Sequence, residues 1–163
     1  VGLGYVGLPL AARFSLKGFD VIGFDISETR IEELRNNADH NNDIELEYLE
    51  AFNLNSQISS DSSDIKDCNI FIVTVPTPIN KDKTPNLEPV IGSSKLIGSI
   101  MTKGSIVIYE STVFPGATEE YCVPFFHTST VSHTQLPDLL PQFKLQPCKR
   151  TNTAGTPTVG PSP

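Results

Sequence analysis

The sequence has few basic residues, few cysteines and no long apolar run, and each shortage excludes a class of protein. Lys and Arg number 12 against 19 Asp and Glu in 163 residues, a net charge of -7. Proteins that bind nucleic acid or anionic membranes present a basic face, so we expect neither partner. The 3 cysteines are too scattered for a disulfide framework or a zinc site, and they suit a reducing, cytoplasmic location. No stretch approaches the about 18 apolar residues of a membrane span.

The start of the chain lacks the features of a leader. There is no initiator Met, and the sequence opens inside a glycine motif at Val1. A secretory signal needs a basic segment before an apolar core, and none is present. We therefore expect the first strand of the fold to be truncated to its last residue.

The end of the chain differs in composition from the rest. Residues 1–126 hold 9 Lys and Arg with 18 Asp and Glu, whereas residues 127–163 hold 3 and 1. The second segment also carries 6 of the 13 prolines, is rich in Thr and Ser, and shows no helical or strand periodicity. Such a segment buries too little apolar surface to offset its ordering entropy. We predict one domain over residues 1–126 and a disordered tail over residues 127–163.

Residues 1–126 alternate between helix and strand patterns. Apolar residues at helical spacing predict four helices, at residues 4–17, 28–36, 44–52 and 87–101. For the second of these, Ser27 is the expected N-cap, and Ile31 and Leu34 are expected on one apolar face. β-branched and apolar runs predict four strands, at residues 19–25, 57–60, 70–75 and 105–109. The last two strands are nearly continuous apolar runs, so we expect both to be buried on their two faces. We expect a last helix to begin at Gly116. The alternation predicts an α/β fold with a doubly wound parallel sheet.

The strongest functional signal is the run GLGYVG at residues 2–7, where a strand should give way to a helix. The first glycine of such a turn permits the bend, the second lets a diphosphate approach the backbone, and the third allows close helix packing. The helix start then offers free N–H groups and a partial positive charge. Asp25 follows Gly7 by 18 residues, at the end of the next strand. A carboxylate there receives the ribose hydroxyls of NAD and repels the extra phosphate of NADP, so the pattern predicts an NAD site.

Arg30 leaves two interpretations open. A cation five residues beyond Asp25 could face the adenosine ribose or the phosphates. It could equally be a solvated helix residue paired with Glu33 or Glu28.

Two further strand ends carry polar side chains. In an open parallel sheet, ligands lie beyond the carboxyl ends of the strands, where VPTP (residues 75–78) and ESTV (residues 110–113) both fall. The hydroxyls of Thr77, Ser111 and Thr112 could donate to a phosphate, a ribose or a bound water. Without further context, such residues at strand ends are mostly turn formers.

The run VGLGYVGLPLA at residues 1–11 resembles the opening of the UDP-glucose/GDP-mannose dehydrogenase family. Further segments follow in the family's order: DI with RI within residues 25–31, FIVTVPTP at residues 71–78 and YESTVFPGATEE at residues 109–120. The last of these, with DCN at residues 67–69, looks most like the branch that oxidises UDP-N-acetylhexosamines for bacterial surface polysaccharides.

The resemblance implies a Rossmann-like domain that serves an NAD-dependent nucleotide-sugar 6-dehydrogenase. Such an enzyme oxidises the C6 alcohol of a UDP-sugar to a uronate in two hydride transfers, through a thiohemiacetal and a thioester on a cysteine. It also implies a homo-oligomeric parent protein. By motif, Thr112 would position the water or hydroxyl used in the chemistry. The implied cofactor contacts are Gly2, Gly4, Tyr5, Val6 and Gly7 at the diphosphate, Asp25, Ile26 and Arg30 at the adenosine side, and Thr77, Pro78, Ser111 and Thr112 at the nicotinamide side.

The sequence departs from the family in its second half. The family resembles two Rossmann-like halves joined by a long helix, with the nucleophilic cysteine in the second, and none of Cys68, Cys122 or Cys148 can take that role. Cys68 reads as a core residue, and His40 as a loop residue. We therefore expect a fragment that is inactive alone. The alternative is a non-catalytic nucleotide-binding module or a pseudogene product; a methyltransferase is weaker, because VPTP and ESTV have no place in it.

Overall fold

The computed structural model describes residues 1–126, in which helices and strands alternate. The helices are α1 (Gly7–Leu16), α2 (Glu28–Arg35), α3 (Leu46–Asn55) and α4 (Glu88–Ile100). The strands are β1 (Ile22–Phe24), β2 (Gln57–Ser59), β3 (Ile70–Val73) and β4 (Ile106–Tyr109). Short 3-10 turns cover Ser62–Ile65 and Val123–Phe125. The tail predicted over residues 127–163, which includes Cys148, lies outside the described residues.

Two parallel two-stranded sheets flank the short segment of residues 1–3, which hydrogen-bonds to both of them and joins them into one layer. β1 pairs with β2, and β3 pairs with β4, both in parallel. The N–H of Gly2 donates to the Phe24 carbonyl in β1 at 2.8 Å, and the N–H of Thr74, just beyond β3, donates to the Val1 carbonyl at 2.9 Å. The order is therefore β2, β1, residues 1–3, β3, β4, which is that of a Rossmann-like doubly wound sheet. The predicted fold class is confirmed, and the winding reverses beside residues 1–3.

Two apolar clusters cover the two faces of this sheet. Successive side chains of a strand point to opposite faces. Thus Gly23 backs onto Leu3 and Phe52 of one cluster, whereas Phe24 belongs to the other. The first cluster is built mainly from α1, α2 and α3, and the second from β3, α4 and Phe126. The carboxyl ends of the strands are left for the candidate site.

The local signals for α2 act as the sequence predicts. Ser27 caps the helix, because its hydroxyl accepts a hydrogen bond from the N–H of Arg30 at 3.2 Å. Ile31 and Leu34 are buried on the face that meets the sheet. The helix therefore leaves β1 at a defined angle and brings Arg30 back toward the glycine motif.

The later strands are less buried than expected, and the last helix differs in type from an α-helix. In β3, Phe71 and Val73 are buried, but Ile70 is exposed and Ile72 is half-buried. β4 is half-buried at all of its residues, because among the described strands it pairs only with β3 and so forms an edge. The last segment is not an ordinary α-helix from Gly116 but a π-helical turn, Thr118–Cys122, followed by the 3-10 turn. Pro124 has no N–H to donate, so a regular α-helix cannot run through this point.

Candidate functional site

The glycine motif forms a tight turn between the sheet centre and α1, which we call the glycine turn (residues 2–7). Gly2 has φ of +94°, a backbone conformation that side chains disfavour. A Cβ on Gly7 would overlap the Gly2 carbonyl oxygen and the Thr74 hydroxyl, so only glycine lets α1 start this close to the sheet. A Cβ on Gly4, by contrast, would meet no atom within 4 Å. The turn is thus packed on one side and open on the other.

The open side presents unpaired amides. Within residues 1–126, the N–H groups of Gly4, Tyr5, Val6 and Gly7 donate no hydrogen bond to the protein. The residue before α1, Val6, supplies no side-chain cap, and the first turn of the helix holds no acidic residue. The amides at a helix start are the groups that bind anions, aided by the helix dipole. The glycine turn therefore fits a diphosphate.

Asp25 lies at the end of β1 and reaches back to the glycine turn. One carboxylate oxygen accepts the N–H of Leu3 at 2.8 Å, and the other accepts the N–H of Ser27 at 2.9 Å. Each oxygen keeps a further lone pair for a ligand hydroxyl. The carboxylate is therefore fixed beside the unpaired amides, as an NAD ribose acceptor requires.

Arg30 is buried beneath the same turn, and neither of its two interpretations describes it fully. Its Nε donates to the Leu3 carbonyl at 3.0 Å. Its terminal nitrogens donate to Asp39 at 2.8 Å and to Asp43 at 2.7 Å, with Glu33 at 3.5 Å. The expected partner Glu33 is present, but the side chain is only 10% exposed rather than solvated. Nearly all of the guanidinium donors are used by the protein.

Asp39 is held in its ionised form by this network. Burial opposes the charge of Asp39, but the Arg30 hydrogen bond and the N–H groups of Ile44 and Asp43 outweigh that effect and lower the pKa of the carboxyl. Asp39 and Asp43, which we call the acidic pair, thus compensate the charge of the buried arginine. Because the Leu3 peptide group is planar, fixing its carbonyl also fixes the direction of the Gly4 N–H that follows it.

The rim of the site carries exposed apolar side chains. Tyr5 and Ile26 are 77% and 79% exposed, and Val6 is 36% exposed. Tyr5 and Val6 stand on the glycine turn, and Ile26 directly follows Asp25. Exposed apolar side chains around a set of polar groups are typical of a ligand site.

The loops after β3 and β4, which we call the strand-end loops (residues 75–78 and 110–113), contact one another. The Thr77 hydroxyl donates to the Thr112 carbonyl, and the Ser111 hydroxyl donates to the Val75 carbonyl, both at 2.6 Å. These protons are therefore not available to a ligand, although both oxygens can still accept. Thr112 is exposed, and among the described contacts its hydroxyl has no partner. Pro78 is exposed beside them.

The structure brings the two groups of predicted residues to one edge of the sheet. A Cβ on Gly2 would meet Thr74 and Val75 at 3.2 Å, and Val75 in turn is bonded to Ser111. The first glycine therefore lies next to the first strand-end loop. The sequence reasoning missed Thr74 and the acidic pair. The sequence holds a signal for each of them. Thr74 is a polar residue inside the apolar run at residues 70–75, and Arg30 is followed by several carboxylates, among them the acidic pair.

The described cysteines do not form a reactive site. Cys68 packs against the second apolar cluster, as expected, and burial together with the charges of Asp20 and Asp67 raises the pKa of its thiol. Cys122 is buried. His40 is an exposed loop residue beside Glu33.

Two kinds of feature are absent from residues 1–126. These residues contain no group of three or more His, Cys, Asp or Glu side chains arranged to hold a metal ion. None of the helices described for them combines the length and apolar character needed to cross a membrane.

The chain is similar in sequence to known nucleotide-sugar dehydrogenases. The model of the UDP-glucose/GDP-mannose dehydrogenase family, NAD binding domain, matches residues 1–142. UDP-N-acetyl-D-glucosamine 6-dehydrogenase of Pseudomonas aeruginosa is 53% identical over 125 residues, which are 76% of this chain and 29% of that protein. Protein CapL of Staphylococcus aureus is 50% identical over 124 residues, 76% of this chain and 28% of that protein.

A solved structure agrees with the sequence comparisons. The structure of the UDP-D-ManNAc dehydrogenase of Pyrococcus horikoshii superposes with a TM-score of 0.71 at 28% identity, covering 86% of this chain and 37% of that one. The chain thus spans less than a third of the length of the curated relatives just described.

Proposed function

The chain belongs to the UDP-glucose/GDP-mannose dehydrogenase family, and we propose that residues 1–126 form the NAD-binding portion of a nucleotide-sugar 6-dehydrogenase. The observation that carries the proposal is the row of unpaired amides at residues 4–7 beside the carboxylate of Asp25. A diphosphate needs several convergent N–H donors, and an adenosine ribose needs an acceptor for its hydroxyls. The domain boundary at residue 126 is part of the proposal.

We assign the parts of the cofactor to the groups that suit them. The glycine turn takes the diphosphate through main-chain amides, and Asp25 with the apolar side chain of Ile26 takes the adenosine. Arg30 supports that side through Leu3, since most of its donors already have protein partners. The strand-end loops face the nicotinamide, and Thr112 is the hydroxyl left to orient a water or a substrate hydroxyl. The proposed contacts are Gly2, Gly4, Tyr5, Val6, Gly7, Asp25, Ile26, Thr77, Pro78, Ser111 and Thr112.

For the substrate we propose a UDP-N-acetylhexosamine, as the name of the Pseudomonas relative suggests. Two NAD molecules would be needed for each substrate, because the oxidation of the C6 alcohol to a uronate releases two hydrides and each NAD accepts one. Uronate sugars of this kind are suitable building blocks for polysaccharide biosynthesis. We propose that the parent enzyme is a homo-oligomer in the cytoplasm.

We also propose that the 163-residue chain alone does not oxidise this substrate. Its activity would then be limited to the binding of NAD. The supporting observation is that neither described cysteine is suited to covalent catalysis: Cys122 is buried, and the raised pKa of Cys68 disfavours its thiolate. Incubation with NAD and UDP-N-acetylglucosamine should yield no NADH above a protein-free control. Steady NADH formation by the pure chain would contradict this part of the proposal.

NAD binding is tested by calorimetric titration of the wild-type chain and two variants. Gly4→Ala adds a methyl group in the space assigned to the diphosphate, where the protein itself has no atom within 4 Å. We expect at least about tenfold weaker NAD binding with an unchanged unfolding midpoint. Asp25→Ala removes a charged acceptor and should weaken the binding of NAD by about tenfold or more. The protein's preference for NAD over NADP should also become smaller.

The outcomes separate cleanly. Equal NAD affinity in all three proteins would remove the glycine turn and Asp25 from the site. An absence of NAD binding by the folded wild-type chain would overturn the proposed function as a whole.

A further inference from the structure

Thr74, just beyond β3, is bonded to the centre of the sheet through both its main chain and its side chain. Its N–H donates to the Val1 carbonyl at 2.9 Å. Its hydroxyl donates to the Gly2 carbonyl at 2.7 Å and lies 3.0 Å from the Val1 carbonyl. A strand end needs only the main-chain bond to continue the sheet. The side-chain bond therefore serves the glycine turn.

The carbonyl that Thr74 holds belongs to the same peptide group as the N–H that Asp25 holds. The Gly2 carbonyl accepts from Thr74, and the Leu3 N–H on the other end of that planar group donates to Asp25 at 2.8 Å. Two side chains, from the strand ends on either side of residues 1–3, thus hold one peptide plane from opposite directions. If the carbonyl end rotates, the N–H end leaves the carboxylate.

The third glycine keeps the Thr74 hydroxyl in place. A Cβ on Gly7 would overlap both the Gly2 oxygen and the Thr74 oxygen, so the start of α1 encloses this hydrogen bond. The hydrogen bond is partly buried, which restricts the access of water to the Gly2 carbonyl oxygen. A carbonyl oxygen deprived of its partner here would stay unsatisfied or would turn, and either change would disturb residues 2–7.

We propose that Thr74 is a positioning residue for the NAD site. This inference rests on the proposed function. Thr74 touches no cofactor; its hydroxyl fixes the peptide plane between Gly2 and Leu3. That plane sets the carboxylate of Asp25 for the ribose and starts the turn whose amides face the diphosphate.

The test uses three substitutions at this position in the full chain. Thr74→Ser keeps the hydroxyl, Thr74→Ala removes it, and Thr74→Val replaces it with a methyl group that presses on the Gly2 carbonyl. We expect Thr74→Ala and Thr74→Val to weaken NAD by about fivefold or more, and Thr74→Ser to stay within about twofold of wild type. If Thr74→Val does not fold, the Ala and Ser variants decide the comparison.

A spectroscopic readout separates positioning from general destabilisation. The proton chemical shift of the Leu3 amide reports its hydrogen bond to Asp25 in the ligand-free protein. It should move in Thr74→Ala, return in Thr74→Ser, and stay fixed in the matched control Thr84→Val, whose hydroxyl bonds to Asp82 within its own exposed turn.

The two proposals fail in different ways. An unchanged Leu3 shift and unchanged NAD affinity in Thr74→Ala would overturn the role of Thr74 while leaving the NAD site intact. A wild-type chain that does not bind NAD, but whose Leu3 shift responds to Thr74→Ala, would overturn the proposed function and leave the structural link standing.

Discussion

The glycine turn and the strand-end loops lie at the same edge of the sheet but use their polar groups differently. In the glycine turn, charged and polar side chains from three elements hold the backbone, and the amides of residues 4–7 are left without protein partners. In the strand-end loops, the hydroxyls of Thr77 and Ser111 are bonded to carbonyls of the opposite loop. The first region therefore leaves fixed donors free, whereas the second uses most of its polar groups on its own loops.

The difference shows that a polar side chain near a site is no measure of what the site can bind. Arg30 carries five donors, yet most of them hold protein acceptors. The glycine turn, by contrast, offers main-chain groups: the N–H groups of residues 4–7, which have no acceptor among the described residues. Three predictions sharpen this comparison, taken from the largest expected effect to the smallest.

Loss of the Arg30 guanidinium should have the largest effect on stability. Arg30→Met leaves Asp39 and Asp43, which are 6% and 7% exposed, without their cation, and breaking a buried ion pair on one side costs about 3 kcal/mol or more. Urea denaturation monitored by circular dichroism measures the change.

The matched control is Arg13→Met, since Arg13 is exposed and lies over the Tyr48 ring at 5.9 Å. Its removal should cost about 1 kcal/mol or less. Equal losses in the two variants would show that the buried network is no stronger than a surface contact. Adding Asp39→Asn and Asp43→Asn to Arg30→Met should recover part of the stability, because the uncompensated charges are then removed.

Acid should weaken the glycine-turn side through Asp39. The pKa of this carboxyl is lower in the folded protein than its ordinary value of 3.8, so its contribution to stability is fully present above that pH. As the pH falls, Asp39 in the unfolded chain takes up a proton first, near 3.8, and the folded protein begins to lose this stabilisation. The stabilisation has disappeared once the pH is also below the pKa of Asp39 in the folded protein. Asp39→Asn should therefore be less stable than wild type at neutral pH, with the difference shrinking steadily in acid.

Denaturant titrations from pH 7 down to about pH 3 measure this convergence. A difference between the two proteins that stays constant over the whole range would show that the ionised carboxyl contributes nothing. Glu50→Gln is a suitable control, because Glu50 is exposed on α3 and its carboxylate makes none of the described hydrogen bonds or ion pairs.

Separation of the strand-end loops should have the smallest effect. Thr77→Val removes one exposed hydrogen bond to the Thr112 carbonyl, for which we expect about 0.5 to 1 kcal/mol. Thr77→Ser should restore it. A loss as large as that of Arg30→Met would mean that the strand-end loops are as tightly coupled to the fold as the glycine turn.

The sequence predicted what depends on local pattern. The glycine spacing, Asp25 at the end of the next strand and Ser27 as a cap are short-range signals, and each appears where it was expected. The fold class followed from the alternation of strands and helices.

The rest depends on contacts that no local pattern encodes. The partners of Arg30 lie 9 and 13 residues further on, in an irregular segment whose path is set by packing. Thr74 reads as a strand residue until the Gly2 carbonyl is seen beside it. The half-buried β4 and the π-helical turn at Thr118–Cys122 likewise reflect an edge position and a proline rather than propensity.

The empty space around the Cα of Gly4 has a consequence for how such a site can change over time. A recognition surface made of main chain offers evolution no side chain to exchange; substitutions there can obstruct the pocket but cannot retune its selectivity. In the proposed site, the carboxylate that would receive the ribose belongs to a side chain, that of Asp25. Under that proposal, a lineage that keeps its glycines could change its preference between NAD and NADP by exchanging this acid.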